Sequence, residues 1–382
     1  MPYVGFIIPV YNTHPNILKR TLDDLIKKTI LPIFVVDDNS TKEDTKKVLK
    51  EYEKTKQIEV IHHERNLGKI EALYTGIKHS NLTYAFFIDD DVSIEVNQKD
   101  NLNQLSLLDK IIIEETYKLS SDSPVIVYPV GARNKEKNLL TRIQHIEHLI
   151  PTYIMRKFLE DGIYVGGTGS LWISNEFSNV YYLHTKSHLA DDLETSLILY
   201  RMNKQILFSD RLILLADMKD TFISWFKQRL IWEYGKWRLL KRYYTEIINN
   251  PNTLVYYFTS PVFFLSTLIN PTITFGYISL LSLPIIKKKR NLYNNSIEKK
   301  LKEIYIYVPI LGLLSLFFPH TLLFAPFYYY YPIKKEKREN NIIKKEDFHI
   351  SNLYLLTGYS IFYLTVIQPL GILYALYKKF KK

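Results

Sequence analysis

Val4-Gly5-Phe6-Ile7-Ile8-Pro9-Val10-Tyr11-Asn12 is a short apolar run that stops abruptly at polar residues, and Pro32-Ile33-Phe34-Val35-Val36-Asp37-Asp38-Asn39-Ser40 repeats the design. Between them Ile17, Leu18, Thr21, Leu22, Leu25 and Ile26 recur at helical spacing. The alternation continues outward. A polar helix is predicted over residues 41–52, a strand over 58–62, and a helix over 68–79 with Ile70, Leu73 and Ile77 on one face. A fourth strand over 84–88 closes on Asp89-Asp90-Asp91. Continuously apolar strands alternating with helices predict an α/β, Rossmann-like domain with a parallel sheet covered on both faces. Ligands of such sheets sit beyond the carboxyl ends of the strands. Three of the four predicted strands end there in polar clusters.

Composition narrows the partners. The 382 residues carry 50 Lys and Arg against 39 Asp and Glu, a net charge of +11. Residues 253–382 hold 17 of the bases and 6 of the acids, so the first 252 residues balance at 33 of each. A neutral N-terminal part argues against a nucleic-acid binder. With no cysteine, thiolate metal sites, disulfides and cysteine nucleophiles are excluded. The C-terminal third alternates uncharged blocks (253–286, 304–333 and 350–377) with basic stretches such as Lys287-Lys288-Lys289-Arg290. About 20 apolar residues cross a bilayer, so these blocks predict a transmembrane region over 251–382. Each has a proline near its middle, so three to six passages fit the pattern. Met1 is followed almost at once by the first strand, with no leader pattern. The expectation is a multi-pass protein of the cell membrane with a cytoplasmic catalytic domain.

The strand-end clusters suggest chemistry. Three adjacent carboxylates beside a buried strand repel, and a divalent cation would relieve the repulsion. Alternate positions of an extended segment point the same way, so Asp89 and Asp91 are predicted to share Mg2+ or Mn2+. Such an ion can carry a diphosphate and stabilise it as a leaving group. The competing reading is an acidic surface turn. Asp37-Asp38-Asn39-Ser40 reads equally as a helix cap and as a hydrogen-bonding edge for a nucleobase or ribose. His62-His63 and His145/His148 lack a matching third ligand, so they read as structural or surface histidines.

Together these pieces resemble the family-2 glycosyltransferases, inverting nucleotide-sugar enzymes of the GT-A fold. The resemblance runs through Ile8-Pro9-Val10-Tyr11-Asn12, Val35-Val36-Asp37-Asp38-Asn39-Ser40, Asn66-Leu67-Gly68-Lys69 with Ala72-Leu73 and Gly76, and Ile88-Asp89-Asp90-Asp91. It continues through Tyr128-Pro129-Val130, Arg133-Asn134 and residues 142–147, then Gly166-Gly167-Thr168-Gly169-Ser170-Leu171-Trp172, residues 189–197 and residues 225–235. It implies that Pro9, Tyr11, Asn12, Asp37, Asp38, Lys69, Asp89 and Asp90 bind the donor nucleotide, and that Asp89 and Asp91 hold the metal. Asp192 falls where that family has its catalytic base, with Asp191 standing where Glu is usual. Gly167, Thr168, Gly169, Ser170 and Asp191, with Gln228, Arg229 and Trp232, fall on the acceptor and diphosphate side. Residues 225–235 are similar to the Gln-x-x-Arg-Trp segment of membrane-bound polysaccharide synthases, with Ile231 in the arginine position.

The resemblance thus implies a cytoplasmic GT-A domain over 1–222, an interfacial amphipathic helical segment over 223–250, and the transmembrane region beyond. Its partners would be a UDP- or GDP-sugar, the bilayer, and a membrane-presented glycan or lipid-linked acceptor. The Gln228–Trp232 pattern favours a polysaccharide-synthase-like acceptor. Ile231 and the proline-broken blocks favour a polyprenyl-phosphate glycosyltransferase. A membrane scaffold with an inactive transferase domain is the non-enzymatic rival.

Overall fold

The computed structural model describes residues 3–96, 104–148, 164–186, 189–249, 257 and 367–380. The chain divides into two compact units, Met1–Asp220 and Thr221–Lys382.

The first unit is built on a seven-stranded sheet. Strands β1 (Val4–Val10), β2 (Ile33–Asp37), β3 (Ile58–His62) and β4 (Tyr84–Ile88) run parallel in the order β3-β2-β1-β4. Helices α1 (Pro15–Lys28), α2 (Glu43–Tyr52) and α3 (Lys69–Ser80) connect them. All five residues of β2 are buried, as expected for a strand covered on both faces. Each connecting helix has a local cause. Pro15 presets the first turn of α1, and Leu18, Thr21, Leu22 and Leu25 form its buried stripe. Gly68 precedes α3 at φ 95°, a conformation that L side chains rarely adopt, and Asn81 ends the helix in the left-handed region.

Beyond β4 the sheet changes character. β8 (Gly169–Ile173) pairs antiparallel with both β4 and β6 (Val125–Val127), and β9 (Ile206–Phe208) pairs parallel with β6. A second sheet of β5 (Val92–Val96), β10 (Leu212–Ala216) and β7 (Val130–Ala132) starts directly after the acidic triplet. The all-parallel expectation therefore holds for the first four strands and gives way to a mixed sheet after them. One core spans both sheets, with Phe6, Phe86 and Leu171 buried together with Ile94, Leu212 and Leu214. Helix α4 (Gln104–Thr116) packs against this core through Leu107, Leu108, Ile111 and Ile112. Helices α5 (Ser174–Leu183) and α6 (Asp191–Arg201) follow β8.

In the second unit the described elements are α7 (Phe222–Leu239), α8 (Tyr244–Asn249) and α9 (Gln368–Phe380). The blocks 253–286 and 304–333 lie outside the described residues except for Tyr257, as does 350–377 before residue 367. Among the described residues no helix is long and apolar enough to cross a membrane.

Candidate functional site

The carboxyl ends of β1, β2 and β4 converge, as the strand pattern predicts. Asn12, at φ 56°, holds the first two ends together. Its backbone N–H donates to Ser40 Oγ at 2.9 Å, and its Oδ1 accepts from the N–H groups of Thr41 and Lys42 at 2.8 and 2.9 Å. Pro9 sits in β1 beside Val36, and Tyr11 lies half-exposed just past the strand end.

Asp37 and Asp38 are both buried, and both are satisfied from within the protein. Asp37 Oδ1 accepts from the Ser40 N–H at 2.9 Å, and its Oδ2 lies 3.0 Å from His62 Nδ1. Asp38 accepts from the N–H groups of Leu67 and Gly68, each at 2.7 Å, and pairs with His63 Nδ1 at 2.8 Å. Asp38 thus organises the loop that launches α3. The neighbouring histidines serve these carboxylates. His145 plays a similar internal part, its Nδ1 accepting from the Ala132 N–H at 3.0 Å.

The acidic triplet differs from the extended segment expected. Residues 89–91 form a tight turn, closed by the Val92 N–H to Asp89 O at 3.2 Å, because the chain must swing from β4 into the second sheet. Asp90 accepts from Thr13 Oγ1, which ties the triplet to the end of β1. Burial pushes Asp90 up to about 7, and burial with the charge of Asp89 pushes Asp91 up to about 6. Asp89 is also raised by burial, against the pull of Lys69, whose Nζ donates to Asp89 Oδ1. Lys69 Nζ also donates to Gly167 O at 2.5 Å.

Register brings the second half of the site to this point. Ile88 of β4 pairs with Gly169 of β8, so the next residues meet, and the Asp89 N–H donates to Thr168 O at 3.2 Å. The small-residue turn is shorter than expected, since Gly169 and Ser170 belong to the strand. A Cβ at Gly169 would stand 2.7 Å from a Leu214 methyl and 3.1 Å from Phe87 O, so only glycine fits between the sheets. Ser170 Oγ is buried and accepts from Trp172 Nε1 at 2.8 Å. Gly166 and Gly167 remain at the cavity, with Thr168 beside Asp89.

That cavity is lined by Lys69, Asp89, Gly166, Gly167, Ser170, Asp191, Asp192 and Thr195. Asp191 and Asp192 open α6, entered through Ala190 at φ 53°. Asp192 Oδ1 accepts from the Leu193 N–H at 2.7 Å, and Oδ2 accepts from the Tyr164 hydroxyl. Burial first, and then the charge of Asp191, push Asp192 up to about 6, despite these donors and nearby Lys69. Lys69 feels Asp89, Asp191 and Asp192 together and is held above its ordinary value despite burial. The cavity therefore gathers three carboxylates around one ammonium.

Arg133 and Asn134 are structural. Arg133 Nε donates to Ser93 Oγ at 3.2 Å, and Asn134 exchanges two hydrogen bonds with the Met218 backbone, which sews β7 to β5 and to the chain leaving β10.

Gln228, Arg229 and Trp232 lie on α7 of the second unit. The Arg229 guanidinium sits 4.4 Å from the Trp232 ring centroid. Arg229 is 3% exposed and Ile231 48%, as two helical steps of about 100° each require. Arg229 therefore does not replace the arginine missing at 231. The helix also buries charge, pairing Lys236 with Glu233 at 2.6 Å, while Phe222, Ile223 and Trp232 face outward.

Tyr164 and Thr13 carry no recognisable spacing to the acidic residues they serve, and no sequence pattern singles them out. Glu194 is fully buried and accepts from the Thr185 N–H at 3.0 Å, which fastens the chain just after α5 to α6.

The family described as Glycosyl transferase family 2 matches residues 6–102, the four parallel strands and the acidic triplet included. Those residues are similar to a family-2 glycosyltransferase domain. The chain is 29% identical over 153 residues to a Bacillus subtilis (strain 168) protein described as an uncharacterized glycosyltransferase, EpsJ, covering 39% of this chain and 43% of that one. It is 22% identical over 258 residues to a poly-beta-1,6-N-acetyl-D-glucosamine synthase of Staphylococcus epidermidis, covering 66% of this chain and 59% of that one. The chain spans about half the length of these curated relatives. Among solved structures, a mannosyltransferase of Pyrobaculum calidifontis in complex with GDP-Man and Mn2+ has a TM-score of 0.43 at 12% identity, covering 83% of this chain and 88% of that one.

Proposed function

We propose that the first unit is the catalytic domain of an inverting glycosyltransferase that moves a sugar from a UDP- or GDP-sugar to a membrane-presented glycan or lipid-linked acceptor. One observation carries this reading. Asp192, a half-buried carboxylate with both oxygens oriented by hydrogen bonds, shares a small cavity with Lys69 and Asp89 at the carboxyl end of β4.

The donor nucleotide rests against the strand ends of Pro9–Asn12 and Asp37–Asp38, which are shaped by internal hydrogen bonds. Asp192 takes the proton of the acceptor hydroxyl as that oxygen forms its bond to the anomeric carbon. The bond from the anomeric carbon to the diphosphate oxygen breaks on the opposite side, so one displacement inverts the centre. Lys69 places positive charge beside Asp89, where the diphosphate departs.

The acidic triplet suits a divalent cation. Among the described residues no group of three or more His, Asp or Glu is placed to hold a metal ion by itself. Mg2+ and Mn2+, however, are commonly bound by one or two carboxylates plus substrate phosphates. Asp89 and Asp91 would hold the ion, and it would neutralise the leaving diphosphate.

Membrane attachment rests on the three uncharged blocks and their basic flanks. Ile231 in the arginine position favours a second reading, a polyprenyl-phosphate acceptor. A phosphate oxygen needs less help from a base, so Asp192→Asn separates the two acceptors.

The test is a screen of UDP- and GDP-sugars on membranes carrying the full chain, with Mn2+ and native lipid extract, followed by mass spectrometry of the lipid and polymer fractions. The expected result is nucleoside diphosphate release with one donor and a matching glycosylated product. Absence of release from every donor would overturn the proposal.

A further inference from the structure

Tyr164 stands immediately before the glycine turn and reaches across to α6. Its hydroxyl donates to Asp192 Oδ2. The next residue is fastened to the same helix, since the Val165 N–H donates to Ser196 Oγ at 2.9 Å and Ser196 Oγ donates to Asp192 O at 2.8 Å. The Leu193 N–H holds Oδ1 at 2.7 Å. Gly167 closes the remaining side, where an added Cβ would lie 3.3 Å from Oδ2. The carboxylate is thus gripped through both oxygens by groups that donate and carry no charge.

We infer that Tyr164 is a positioning residue that fixes Asp192 Oδ2 for the acceptor hydroxyl. This rests on the proposed transferase reading and adds a residue and a mechanism to it. A carboxylate oxygen can accept two hydrogen bonds, so the one from Tyr164 leaves capacity for the acceptor. A hydroxyl donor also favours the ionised form of the carboxylate, the form that acts as a base. The other charged groups facing Asp192 are Asp191 beside it, Lys69 at the start of α3 and Asp89 at the end of β4. His184, at the end of α5, contacts the Asp191 carbonyl at 3.2 Å and has Glu194 on its other side. None of them changes in Tyr164→Phe. Loss of the hydroxyl therefore leaves a base that is more easily protonated and is held through Oδ1 alone.

The experiment compares full-length wild type, Tyr164→Phe, Asp192→Asn and the double variant, using the responding donor between pH 5 and 8. In Tyr164→Phe the acid limb of kcat should move upward by about half a unit or more, from loss of one hydrogen bond to the charged form. The rate at neutral pH should fall about tenfold, with donor KM within about twofold. In the Asp192→Asn background the same substitution should change nothing, because residues acting as a unit are not additive. An acid limb superposing on wild type would overturn the inference while leaving the transferase reading intact. Activity retained by Asp192→Asn would instead overturn Asp192 as the base for an acceptor hydroxyl, the part of that reading on which the inference rests. Should Tyr164→Phe melt well below wild type, fluorotyrosine incorporated at 164 decides the matter. A more acidic phenol is a stronger donor and should move the limb downward, and an unmoved limb would refute the inference.

Discussion

Two acidic turns at the same edge of the sheet meet opposite fates. Asp37 and Asp38 are buried at the end of β2, yet every oxygen has a donor from backbone or imidazole. Asp89–Asp91 at the end of β4 are half-buried, with two side-chain donors, from Lys69 and Thr13, among three carboxylates. Burial and mutual repulsion push Asp90, Asp91 and Asp192 up to between about 6 and 7. The residue type is the same; the number of donors differs. Carboxylates answered from within hold the fold, the triplet left short of donors is open to a cation, and Asp192, held only by uncharged donors, is open to a substrate proton.

The comparison can be broken at several points. The largest effect expected is on metal use. Asp91→Asn should lower transfer about 100-fold or more at saturating donor, by loss of a metal-held stabilisation of the leaving group. It should also abolish the Mn2+-induced rise in melting temperature. A variant that keeps both responses would remove Asp91 from the metal site.

The next effect is on pH. As the proposed base, Asp192 acts unprotonated, and burial with the charge of Asp191 pushes it up to about 6. Below that value it is increasingly protonated, so the rate should fall about tenfold per unit as pH drops and level off above it. A pH–rate profile flat down to pH 4.5 would contradict a base in this environment.

On the satisfied side, Asp38→Asn should cost about 2 kcal/mol of stability, since an amide cannot serve two N–H donors and an imidazole as a carboxylate does. Activity per folded molecule should change much less. Thermal melts together with donor KM check this. A stable variant that has lost donor binding would show that Asp38 contacts the nucleotide directly. The smallest effect runs the other way. In the absence of metal, Asp91→Asn should raise the melting temperature by a few degrees, about 1 kcal/mol of relieved repulsion in a chain of this size. A lower melting temperature would mean that the carboxylate is needed for folding.

These contrasts also mark what could be read before the structure. The first four strands were legible because continuous apolar runs ended sharply in polar clusters, and those clusters did gather at one edge. Strands β6, β7 and β9 have three residues each, too few to show a period. The antiparallel entry of β8 depends on the pairing of Ile88 with Gly169, which no local pattern states. The triplet reads as extended because its residues follow a strand, whereas the turn into β5 is imposed by the second sheet. Gly169 reads as part of a turn because glycine marks turns as readily as close packing, and the packing partner, Leu214, is 45 residues away. Asp191 and Asp192 were visible as an acidic pair opening a helix. The hydroxyl that orients one of them belongs to Tyr164, 28 residues earlier, a pairing that only the folded chain reveals.

The most direct test of the central claim measures donor affinity and the chemical step in the same preparation of Asp192→Asn, at pH 7.5 with Mn2+. The account predicts donor binding within about twofold of wild type and transfer reduced about 1,000-fold, the loss expected on removal of a positioned general base. Transfer persisting near the wild-type rate at saturating donor would contradict it.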